Sequence, residues 1–142
     1  MGAVAFHSGV SDKLGYTCRL VRKVWRQGQQ VVVTGSPDQL ARLDALLWSF
    51  EAGEFLPHAR LLAGLQLAPQ LARTPVLLAD RADDCGHAEV LINLGPAFAE
   101  CQTDFARVVE VVATSDDEVQ SGRRRWRQYL AQGNVPINHP AG

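Results

Sequence analysis

The sequence predicts a single three-layer α/β domain, a mainly parallel, Rossmann-like sheet flanked by helices. Three observations carry that expectation. Apolar, β-branched runs such as QVVVT (30–34) and RVVEVVA (107–113) are too continuously hydrophobic for strands with one wet face. Segments with helical spacing alternate with such runs from Ser11 onward. A chain of 142 residues, 46% hydrophobic and 20% charged, suits one core of ordinary size. The domain is expected over residues 1–133, with 134–142 as a proline-containing C-terminal tail.

Taken in order, Ala3 to His7 reads as a short strand. Ser11 to Gln27 follows as a helix, with Leu14, Cys18, Val21, Val24 and Trp25 recurring on one face and Gly28 closing it. Gln30 to Thr34 is the next strand. Ser36-Pro37-Asp38-Gln39 then supplies an N-cap, a proline at the first helical position and the glutamine of a capping box. The helix it opens carries Leu40, Leu43 and Leu47 on one stripe to about Phe50. Glu51 to His58 is extended at its X-Pro step, and Leu61 to Arg73 is a connector, either a short helix or a loop. Thr74–Ala79 and Ala88–Leu94 are strands separated by the polar turn Asp80 to His87. Those eight residues are fewer than the dozen or so of a helical crossover, so a tight connection is expected there. Arg107 to Ala113 is the last strand. Ser115-Asp116-Asp117-Glu118 repeats the capping box, and the final helix runs to Gly133.

Composition excludes several functions. With a net charge of -1 and a pI near 6.4, the chain lacks the basic excess of a general polyanion-binding surface. Its apolar runs fall far short of the roughly 20 residues that span a bilayer, and MGAVAFHSGV lacks the basic start and long apolar segment of a secretory signal. Cys18, Cys85 and Cys101 are odd in number and form no CxxC, which suits a reducing cytoplasm. A soluble, cytoplasmic protein is expected.

Enzyme chemistry finds little support. The first strand-to-helix turn, His7 to Asp12, has one glycine where a dinucleotide fingerprint has three, and no Lys-Ser/Thr follows. Asp83-Asp84-Cys85-Gly86-His87 concentrates metal-ligating side chains without a second pair at zinc spacing, and reads as a solvated turn. His7, His58, His87 and His139 are scattered, and nothing selects one as the base for a cysteine nucleophile. No catalytic residue, cofactor or metal is expected.

The stretch RRRWRQYL (123–130) is more informative. At about 100° per residue, Val119, Gly122, Trp126, Tyr129 and Leu130 share one face of the final helix. Arg123 borders that face and Arg127 lies just beyond it, while Arg124 and Arg125 point elsewhere, into solvent. Gly122 leaves room for a shallow depression beside Trp126. An apolar floor with a guanidinium at its lip suits an acidic peptide end, because arginine pairs with a carboxylate in a bidentate fork while an aromatic side chain enters the pocket.

Several motifs together carry a family resemblance. Leu43-Asp44-Ala45-Leu46-Leu47-Trp48, Phe55-Leu56-Pro57-His58, Val90 to Leu94, Phe105 to Val112 and Arg123-x-x-Trp126-x-x-Tyr129-x-x-x-Gly133 are similar in order and spacing to the chi subunits of bacterial DNA polymerase III holoenzyme, over about residues 3–133. The resemblance implies a non-catalytic α/β protein that accompanies the clamp loader. It also implies binding to the acidic, phenylalanine-ending C-terminal tail of single-stranded DNA-binding protein, and on another surface to the psi subunit, with DNA engaged only indirectly. Carried over by position, the tail site falls on Trp48, Val112, Val119, Arg123 and Trp126, with Arg123 meeting the terminal carboxylate. The psi site falls on Phe55, Leu56, Pro57 and His58. Trp126 stands where the family commonly has tyrosine, Gly122 where it has alanine, and Phe6-His7 where it has Phe-Tyr. Two rival readings remain: a nucleotide- or cysteine-dependent enzyme on the same fold, and direct single-stranded DNA binding through Arg123, Arg124 and Trp126.

Overall fold

The computed structural model describes residues 2–49, 56–61, 74–79, 89–99 and 105–141. In chain order the elements are β1 (Ala3–Val10), α1 (Lys13–Arg26), β2 (Val31–Thr34), α2 (Pro37–Ser49), β3 (His58–Leu61), β4 (Val76–Ala79), β5 (Val90–Asn93), β6 (Arg107–Ala113), α3 (Asp116–Ala131) and β7 (Ile137–Pro140). The strands form a seven-stranded sheet in the order β3-β4-β2-β5-β6-β1-β7, and every pairing in it is parallel. Strand alternation separates two cores. Val31, Val33, Val76, Leu78, Val90 and Ile92 face α1 and α2, where Cys18, Val21, Leu40, Leu43 and Leu47 pack on them. Val32, Leu77, Leu91, Val108 and Val112 face the other way, where Tyr129 of α3 joins Val4, Phe6 and Phe105. A sheet covered on both faces needs strands apolar on both faces, hence the unbroken runs.

Local chemistry sets the helix ends. Asp12, one residue after the expected start, caps α1 by accepting from the Gly15 amide at 3.1 Å. Gly28 stops the helix at φ +79. The box at α2 is reciprocal: Gln39 Oε1 accepts from the Ser36 amide at 3.0 Å, and Ser36 Oγ accepts from the Gln39 amide at 3.3 Å. At α3 only half of the expected box forms. Ser115 accepts from the Glu118 amide, but the Glu118 carboxylate turns to the Ala113 amide and to Lys13 Nζ, tying α3 to the start of α1.

Three sequence expectations change. β4 and β5, expected to be tightly connected, are not neighbours in the sheet: they lie on opposite sides of β2 and both run parallel to it. A central strand of continuous apolar residues is thereby paired on both edges. His58 to Leu61, expected only as extended chain running into a connector, is a strand on one edge of the sheet. The stretch set apart as a tail holds β7, which pairs with β1 at the opposite edge; its residues are all exposed, so no apolar pattern marks it. The connector 62–73 and the turn 80–87 lie outside the described residues.

Candidate functional site

The site depends on how α3 is held against the sheet, and the holding group is one that helical periodicity assigns to solvent. Arg125 is 2% exposed. Its Nε donates to Glu110 Oε1 at 2.7 Å, and its Nη1 donates to Ser121 Oγ at 2.6 Å and to the Pro96 carbonyl at 3.4 Å. Glu110, in the middle of β6 and fully buried, also accepts from Tyr129 OH at 2.7 Å and from Asn93 Nδ2 at 3.1 and 3.2 Å. Asn93 in turn accepts from Thr34 Oγ1 and from the Gly95 amide. The network therefore joins β2, β5, β6 and α3. Burial pushes the Glu110 carboxyl up, and the Arg125 guanidinium, Tyr129 and Asn93 pull it back down. Burial beside Glu110 likewise raises the Tyr129 hydroxyl, which stays a donor. Gly95, at φ +72, is required here: a Cβ on it would stand 2.6 Å from Arg125 Nη1.

With Arg125 and Tyr129 turned to the sheet, the next strip of α3 faces an open cavity of about 540 Å³. Its helix wall is Val119, Gly122, Arg123 and Trp126. The floor comes from Phe6 of β1 and from Val112 and Ala113 at the end of β6; Ser8, Gly9, Thr114 and Asn138 of β7 complete the lining. Trp126 is half-buried, its ring centroid 5.0 Å from that of Phe6, so one face is packed while the other lines the cavity. Gly122 lets the helix approach β6, since a Cβ there would lie 3.0 Å from Val112 Cγ2. Arg123 is exposed at the lip and forms no ion pair among the described residues. An apolar floor with one unneutralised guanidinium suits a ligand that is apolar at one end and anionic beside it.

Of the residues assigned to the tail site by resemblance, Val112, Val119, Arg123 and Trp126 line this one cavity. Trp48 does not join them. It sits on α2, on the opposite face of the sheet, 58% exposed, with its ring centroid 4.6 Å from that of His58. His58 is buried, with Nδ1 at 2.8 Å from the Leu56 carbonyl and Nε2 at 2.9 Å from Asp44 Oδ1. Leu56 is buried and Pro57 half-buried. Phe55 lies outside the described residues. Sequence reasoning missed Phe6, Ser8 and Asn138 as lining residues, because they reach the cavity only through sheet pairing. Arg124 and Arg127 line a separate depression of about 440 Å³ with Pro96, Arg125 and Gln128, on the other flank of α3.

Enzyme-like groups are few. Cys18 is buried, and burial pushes its thiol up to about 11, which disfavours the thiolate a nucleophile requires. Burial, then His139, whose ring centroid lies 5.6 Å away, lowers His7, which shares a hydrogen bond with Tyr16 OH. Among the described residues no group of three or more His, Cys, Asp or Glu side chains is placed to hold a metal; Asp83 to His87 and Cys101 lie outside them. No described helix is long and apolar enough to cross a membrane.

Comparison with known proteins identifies the family of the chain. The sequence profile of the DNA polymerase III chi subunit matches residues 1–136. The chain is 36% identical over 133 residues to DNA polymerase III subunit chi of Pseudomonas aeruginosa, covering 91% of this chain and 87% of that protein. It is 30% identical over 129 residues to the subunit of the same name of Escherichia coli K12, covering 88% and 83%. In fold alone it is similar to a chain of the solved complex of the S. cerevisiae Dbp5 C-terminal domain with Gle1 and IP6, at a TM-score of 0.62 and 12% identity, covering 99% of this chain and 90% of that one. On the profile match across nearly its whole length and on these relatives, the chain belongs to the family of DNA polymerase III chi subunits, proteins of DNA replication.

Proposed function

We propose that this chi subunit is a non-catalytic adaptor of the clamp-loader complex. It binds the acidic, phenylalanine-ending tail of single-stranded DNA-binding protein in the cavity beside α3, and it binds psi through a second surface. The observation that carries the reading is the cavity itself: an apolar floor of Phe6 and Val112, an aromatic wall at Trp126 and an unneutralised Arg123 at the lip. The terminal phenylalanine enters, Arg123 takes the carboxylate, and the protein meets DNA only through its partner, in the cytoplasm at replication forks. The psi surface is assigned to Phe55, Leu56, Pro57 and His58. Trp48 is best grouped with it, since its exposed ring packs against His58 in a tilted contact and the two helices α2 and α3 cover opposite faces of the sheet.

Calorimetric titration of the wild type and of Trp48→Ala, with the tail peptide and with psi, tests both halves. Both proteins are expected to take up one acidic peptide ending in Asp-Phe, and neither to bind nucleotides. Trp48→Ala is expected to bind psi more weakly by about 2 kcal/mol or more, the loss typical of an exposed aromatic anchor. Loss of the tail peptide on Trp48 truncation, in a folded protein, would return Trp48 to the cavity by an indirect route and end the division into two surfaces.

A further inference from the structure

The C-terminal strand supplies a polar group to the cavity that is not among the residues assigned to it by sequence motif or resemblance. β7 pairs in parallel with β1, and the register sets Asn138 beside Phe6, the residue at the cavity floor. The Ala141 amide donates to the Ser8 carbonyl at 2.7 Å and closes the end of this pairing. Ser8 Oγ donates to Asn138 Oδ1 at 2.7 Å, which orients the amide and leaves its NH₂ group without a hydrogen-bond acceptor among the described residues. Asn138 therefore offers a donor to the cavity from the edge strand β7, while Arg123 lines the same cavity from α3.

A peptide whose last side chain is buried there carries main-chain carbonyls over that floor, and a carbonyl without a donor is costly to desolvate. Arg123 lines the cavity from α3 and Asn138 from the edge strand β7, so each can meet a different group of the peptide. Resting on the tail-binding reading above, we propose that Asn138 is a specificity-determining residue of the cavity: its amide NH₂ donates to a main-chain carbonyl of the bound tail while Arg123 holds the carboxylate.

The test is fluorescence anisotropy with a labelled acidic peptide ending in Asp-Phe, as the free acid and as the C-terminal amide, against wild type, Asn138→Ala, Asn138→Asp and Arg123→Ala. Folding of each variant is checked by circular dichroism. Asn138→Ala is expected to weaken both peptides by the same factor, roughly three- to tenfold, the worth of one neutral hydrogen bond. Asn138→Asp should weaken both by about tenfold more, because a carboxylate then faces an acidic ligand. Arg123→Ala should cost far more with the free acid than with the amide. Unchanged affinity of Asn138→Ala overturns the proposal, and so does a loss confined to the free acid, which would make Asn138 a carboxylate ligand. A folded wild type that binds neither peptide overturns the tail-binding reading itself, and this inference with it.

Discussion

Arg125→Ala is expected to lower the free energy of unfolding by about 3–5 kcal/mol, the loss typical when one member of a buried ion pair is removed. The reason lies in what is left behind. Glu110 has no exposed surface, and without Arg125 only Tyr129 and Asn93 remain to compensate a charge enclosed among β-branched residues. For a domain whose total stability is of order 5–15 kcal/mol, that is a large fraction. Urea denaturation measures it as a fall in midpoint at unchanged slope. In the variant, burial without the guanidinium leaves the Glu110 carboxyl raised above its ordinary value of 4.5. Burial already raises the group in the wild type and loss of the guanidinium raises it further, so the variant keeps to higher pH a proton that the unfolded state releases, and the deficit relative to wild type widens once pH passes the folded wild-type value. Arg125→Met combined with Glu110→Leu should recover much of the loss, since a packed apolar pair carries no desolvation cost. A deficit below about 1 kcal/mol for Arg125→Ala would mean that the pair is solvated and does not hold α3.

Arg123→Ala should weaken binding of the tail peptide by about 1.5–3 kcal/mol, between roughly tenfold and 150-fold, while leaving stability unchanged. Arg124, two helix positions from Trp126 and facing the depression beside Pro96, should tolerate truncation with little effect on the same peptide. Val112→Phe should abolish binding by filling the floor. Fluorescence anisotropy on folded variants compares the three. Equal losses from Arg123→Ala and Arg124→Ala would show that the helix binds as a diffuse basic surface, and the assignment of the cavity would fail.

The interior of the fold is legible in the sequence for a physical reason. β2 and β6 are buried on both faces, so their residues are mostly β-branched and apolar, and the capping chemistry of Ser36 and Ser115 is local. The edges were not legible. β3 and β7 pair on one side only, and Ile137 to Pro140 buries none of its residues, so neither strand required an apolar pattern. Arg125 was misplaced because periodicity sorts residues by hydrophobicity, and a buried ion pair has no periodic signature. The available signal was its partner, the lone acid in RVVEVVA. Four of the residues carried over by resemblance, Val112, Val119, Arg123 and Trp126, share one cavity because they lie on β6 and the helix that follows it. Trp48 comes from a helix on the other face of the sheet, a separation that only the strand order reveals.

The central claim is that this protein reaches DNA through the tail of another protein. Gel shifts at physiological salt test it most directly, using single-stranded DNA that is naked, coated with the cognate single-stranded DNA-binding protein, or coated with that protein lacking its acidic C-terminal residues. A surface neutralising several phosphates loses affinity steeply with salt, whereas the proposed tail cavity offers one arginine in a chain with a net charge of -1. The expected result is no shift of naked DNA, a clear further shift of the coated DNA, and loss of that shift when the tail is removed. Tight binding to naked DNA, undiminished by deletion of the tail, would contradict the account.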